Sequence, residues 1–149
     1  MEVWAFFVSI FSLLVAGLAF AEARSANRIA LDANKANIKM FKRQGIIELH
    51  FAWTDINEID PENLISPHVV KAINALSLTS SLWNHDALEK AVIYQSYWNN
   101  FKQLYETLVD LDKSPPGKSE KCSELITEDI RRAYNSMNST DLSKVISKL

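Results

Sequence analysis

The stretch Val3 to Ala21 (VWAFFVSIFSLLVAGLAFA) constrains this chain more than any other. It holds nineteen residues without a charge, and only Ser9 and Ser12 carry a hydroxyl. As a helix rising about 1.5 Å per residue, it matches roughly the ~30 Å hydrocarbon core of a bilayer. Phe6, Phe7, Phe11, Leu13, Leu14, Val15 and Leu18 point in every direction around such a helix, leaving no polar face for water. The segment 1–21 therefore reads as a transmembrane anchor.

Charge asymmetry sets its expected orientation. Only Glu2 and the amino terminus precede the span, whereas Arg24, Arg28, Lys35, Lys39, Lys42 and Arg43 follow it. Positive flanks stay inside, so the expectation is a single-pass protein of the cell inner membrane, with its amino terminus outside and its body in the cytoplasm. A cleaved secretory signal is the rival reading, since Ala19-Phe20-Ala21 before Glu22 satisfies the small-residue cleavage rule. Against it stand the absence of Lys or Arg before the apolar run and a helical pattern that continues through Glu22.

Beyond the span, sixteen basic residues face seventeen acidic ones, a net of −1. Such a balance gives no general nucleic-acid footprint, and no nucleic-acid partner is expected. The remaining length suits one domain with a single core. Cys122, the one cysteine, cannot form an intrachain disulfide and reads as an inert small apolar residue suited to a reducing compartment.

Residues 22–44 lack Gly and Pro and are rich in Ala, Arg and Lys, which predicts a helical stalk continuous with the span. Within it Ala26-Asn27-Arg28-Ile29-Ala30-Leu31 is echoed seven residues later by Ala33-Asn34-Lys35-Ala36-Asn37-Ile38. Ala26, Ala30, Ala33, Asn37 and Met40 follow the alternating four- and three-residue steps of a coiled-coil seam. Two readings stand side by side. One is a solvated linker helix; the other is a short self-associating coiled coil in which Asn37 fixes register.

The domain is assigned to residues 45–149, with Gly45 as a kink at the hand-over. Ile46, Leu49, Trp53, Ile56 and Ile59 form its first apolar stripe, ending at Asp60-Pro61. Ser66-Pro67 is a start signal, with Ser66 as N-cap of a helix to about Trp83 whose row is Val69, Ile73, Leu76 and Trp83, widened by Val70, Leu78 and Leu82. Asp86 with Glu89 reads as an acidic capping box opening a helix from Ala87 to about Leu111. Its stripe is Leu88, Ala91, Val92, Tyr94, Gln95, Trp98, Phe101, Leu104, Tyr105 and Leu108. Ser114-Pro115-Pro116-Gly117-Lys118-Ser119 reads as an exposed, mobile loop. A helix from Glu120 to Met137 follows, and Thr140-Asp141 caps a last piece carrying Leu142, Val145, Ile146 and Leu149. No strict alternation marks a strand. The expected fold is all-α: a transmembrane helix, a stalk and a small antiparallel helical bundle.

Candidate chemistry is sparse. His50, His68 and His85 fall on separate elements with no ligand spacing among them, so no metal or cofactor is expected. Asp55, Glu58, Asp60 and Glu62 make the most acidic patch, yet their spacing matches no calcium loop. There is no nucleophile elbow and no phosphate loop. Trp53, Trp83, Trp98, Tyr94, Tyr97, Phe101 and Tyr105 have two readings. Most lie on the helical stripes and suit a core, while Trp53, Trp83, Trp98 and Tyr105 are the candidates for a partner or ligand surface.

The linker SANRIALDANKANI behind one span resembles that of a group of small bacterial proteins of unknown function, each with an amino-terminal span and a cytoplasmic helical domain. The segment VVKAINALSLTSSLWNHDALEKAVIYQSYWNNFKQLYETL is similar to that group's helix pair. The resemblance implies no activity and no site residue. Members of such groups often sit in mobile elements and phage-defence regions, so the resemblance suggests a regulatory or effector role. The expectation is a non-enzymatic, membrane-anchored module that binds itself or a protein partner, with the lipid bilayer as its other partner. Two alternatives are a membrane-disturbing effector, whose spans oligomerise through the small surface of Gly17 with Ala16, Ala19 and Ala21, and a secreted helical binding protein if residues 1–21 are cleaved.

Overall fold

The computed structural model describes residues 2–56 and 58–141. These form four helices: α1 (Glu2–Trp53), α2 (Ser66–Asn84), α3 (Lys90–Val109) and α4 (Glu128–Asn138). No strand occurs among the described residues. The contact pattern divides the chain into two compact units, Met1–Phe41 and Lys42–Leu149.

The first unit is a stretch of α1. Its apolar side chains stand open, from Trp4 at 79% exposure to Phe20 at 70%. The helix is unbroken at Gly45 because a gap in side-chain bulk does not by itself interrupt the backbone ladder, and the helical residues on both sides carry it through.

In the second unit α2 packs on both α3 and α4, and α3 on α4. The buried face of α2 includes Val69, Leu76 and Trp83, as its row predicts, together with Ala72, Ala75, Thr79 and Ser80. Small residues there admit close neighbours. The two buried hydroxyls cost little, because Thr79 and Ser80 each donate to the carbonyl four residues back, at 2.7 Å to Ala75 and to Leu76. Val70 is exposed at 39%, so the face is narrower there than the sequence suggests. On α3 the stripe is buried at Ala91, Trp98, Phe101, Leu104, Tyr105 and Leu108; Ile93 joins it, while Gln95 is exposed. The last turns of α1 bury Leu49 but leave Ile46 41% exposed.

Local chemistry corrects several boundaries. Ser66 is not the N-cap of α2: Ile65 takes that position in an extended conformation, and the Ser66 hydroxyl instead donates to the Pro116 carbonyl. Asp86 does not open α3; it closes α2. At φ 51° it is the left-handed residue of a Schellman ending, with Asp86 N–H donating to Trp83 O at 3.3 Å and Ala87 N–H to Leu82 O at 3.0 Å. Glu89 is then the N-cap of α3, without a side-chain cap. The proline loop is tied down. Pro115 is fully buried, Cys122 N–H donates to Lys113 O at 3.0 Å, and Lys121 pairs with Asp112 at 2.6 Å. Residues 122–125 form a turn in place of helix, with Glu124 Oε2 accepting from Lys121 N–H at 2.9 Å, and Thr127 is the extended N-cap at which α4 begins. The final piece expected after Asp141 lies outside the described residues.

Candidate functional site

Two sets of residues stood out in the sequence, and they end in different surroundings. Ala26, Ala30, Ala33, Asn37 and Met40 all lie on α1 and are all exposed, Met40 at 65%. At about 100° per residue they share one face, with Asp32 about 120° round from it.

The aromatic set is mostly interior. Trp83 is 2%, Trp98 9% and Tyr105 8% exposed, so these three do not form an open surface. They belong to a row of rings that ties three helices together. Trp83 of α2 meets Tyr94 at 6.4 Å between centroids, Tyr94 stacks on Trp98 at 5.6 Å, and Trp98 meets Tyr134 of α4 at 5.7 Å. Tyr134 in turn stacks on Tyr105 at 4.0 Å. At the α2 end of the row, Trp83 Nε1 donates to Ser136 Oγ at 3.0 Å, and Lys90 Nζ lies 5.1 Å over the Trp83 ring.

Tyr134 is the residue whose role its sequence neighbourhood conceals. Its hydroxyl donates to Glu106 Oε1 at 2.7 Å, and Lys102 approaches the same carboxylate at 3.8 Å. The hydrogen bond to Glu106, with burial and the negative charge behind it, pushes the phenol up to about 12. A phenol held protonated in this way is a donor and a brace at ordinary pH. Nothing in the local sequence announces the pair, since Tyr134 and Glu106 sit on different helices.

Trp53 alone of the four candidates borders open space. It is half-buried, donates from Nε1 to Thr79 Oγ1 at 3.0 Å, and stacks on Tyr97 at 5.8 Å. Burial pushes the Tyr97 phenol up. One depression beside it, of 270 Å³, is bordered by Glu58, Asn100, Gln103 and Thr107; another, of 420 Å³, by His50, Ser96, Tyr97 and Asn100. Both are open depressions whose walls mix amide and hydroxyl groups with apolar side chains, Ile56, Ile59 and Leu104 lining the first.

Several other titratable groups have structural partners. Glu62 pairs with Lys113 at 3.3 Å, and Asp60 Oδ1 accepts from Glu62 N–H at 2.9 Å, so this part of the acidic patch organises a turn. Burial pushes the Cys122 thiol up and keeps it protonated. Among the described residues no group of three or more His, Cys, Asp or Glu converges in a way that could hold a metal ion. Compared with protein-family models, with curated proteins and with solved structures, the chain matches none.

Proposed function

We propose that this chain is a membrane-anchored, non-enzymatic interaction module whose helical domain faces the cytoplasm and whose stalk self-associates. One observation carries the anchor. Eleven large apolar side chains between Trp4 and Phe20 are exposed on α1. At about 1.5–3 kcal/mol for each such side chain moved out of water, that surface is worth on the order of 15–30 kcal/mol to whatever covers it. A bilayer covers a helix that is apolar all round; a single protein groove covers one side. The interaction role is supported by the exposed Ala26, Ala30, Ala33, Asn37 and Met40 face.

The experiment is one of topology and processing. A reporter active only in the cytoplasm, fused after Leu149, is expected to be active, and mass spectrometry is expected to find the chain beginning at Met1 or its processed form. A mature protein beginning at Glu22 would replace the anchor with a secreted domain.

A further inference from the structure

The last turns of α1 carry two opposed faces. Gly45, Leu49 and Trp53 turn inward: Leu49 is 1% exposed, and a Cβ placed on Gly45 would stand 3.3 Å from Leu88 Cδ2. Gln44, Ile47 and Phe51 fall roughly 180° away at about 100° per residue. All three are exposed, with Ile47 at 41% and Phe51 at 71%. Two of the three are large and apolar on an element whose other side already belongs to the core.

In the sequence their three- and four-residue steps continue the spacing of Asn37 and Met40. In heptad notation Asn37, Gln44 and Phe51 take position a, and Met40 and Ile47 take position d. Arg43 then takes g, and Glu48 takes e of the following heptad. Both side chains are exposed. A parallel two-stranded coiled coil sets each g residue against the partner's next e residue, which is a cation against a carboxylate here, twice over by symmetry. An antiparallel pair sets g beside g and e beside e, and loses both attractions. Asn37 and Gln44 at successive a positions favour one register at some cost in strength.

We infer that the Gln44, Ile47 and Phe51 face of α1 binds a second copy of this chain as a parallel, in-register coiled coil, with Arg43 of each copy paired to Glu48 of the other. This rests on the self-association proposed for the stalk and carries it into the unit that begins at Lys42. Anchoring both copies in one membrane raises their effective concentration, which favours so short an interface.

The test uses the full chain in native membranes, with Cys122→Ala so that a single introduced cysteine reports. Identical a or d positions stand side by side in a parallel pair. Gln44→Cys and Ile47→Cys are therefore expected to give disulfide dimers several-fold more readily than Ile46→Cys, which lies off the seam. In the Ile47→Cys chain, Arg43→Glu is expected to cut the dimer several-fold, and adding Glu48→Arg to restore it. Cross-linking at Gln44→Cys and Ile47→Cys no better than at Ile46→Cys overturns the inference. So does an unchanged yield with Arg43→Glu, or a double swap that fails to restore it. Ala30→Cys separates the two levels: if it cross-links while positions 44 and 47 do not, the stalk pairs and this face does not; if all are silent, both readings fall.

Discussion

Tyr134 binds two helices together through one proton. Its hydroxyl reaches Glu106 at 2.7 Å, and the phenol is pushed up to about 12 from 10.0. The folded chain therefore keeps a proton that the unfolded chain releases near 10. Stability from this contact is fully present below that pH and is lost as pH rises through about 12. Denaturation curves at pH 9 and pH 11.5 are expected to show a larger loss for the native chain than for Tyr134→Phe, which has no such proton to hold. The neighbouring Trp98, Phe101 and Tyr105 recur at helical steps, which left both a core and a partner surface open; their burial decides for the core. The Tyr134–Glu106 bond was not legible in the sequence, since it depends on how α4 lies on α3 and no local pattern encodes that.

At the scale of elements, the helices were readable and their ends were less so. Asp86 with Glu89 carries a capping signature, but the same Asp suits a left-handed C-terminal position, and Trp83 and Leu82 supply the carbonyls that decide for the ending of α2. Ser66 likewise has a competing acceptor in Pro116, fifty residues away and invisible in its local sequence. Gly45 suggests a kink by its residue type and is instead a site of close approach, where Leu88 and Leu82 come against α1. Gly45→Ala is expected to change stability by less than about 1 kcal/mol, because the gain in helix propensity offsets a squeeze on the end of a flexible side chain. Gly45→Leu overpacks the same gap and is expected to cost about 1–3 kcal/mol. Chemical denaturation of the chain in detergent micelles measures both.

For the molecule as a whole, the apolar first stretch and the absence of strands among the described residues could be read from composition and period alone. The continuity of α1 as far as Trp53 could not, because a glycine at the hand-over argues for a break that the packed turns around it override. That continuity makes the pairing reading sensitive to phase. Removing residues 30–36 turns the later part of the helix by only about 20°, whereas removing residues 30–34 turns it by about 140°. Dimer formation is expected to survive the first deletion and fail after the second, as read by cross-linking through Ile47→Cys in native membranes. Cys122 lends itself to a different measurement. It is the chain's single thiol, fully buried, held to Lys113 through its N–H and kept protonated by its surroundings. Alkylation must wait for the clipped segment to lift away, so the rate at which a reagent consumes this sulfur counts the openings of the domain.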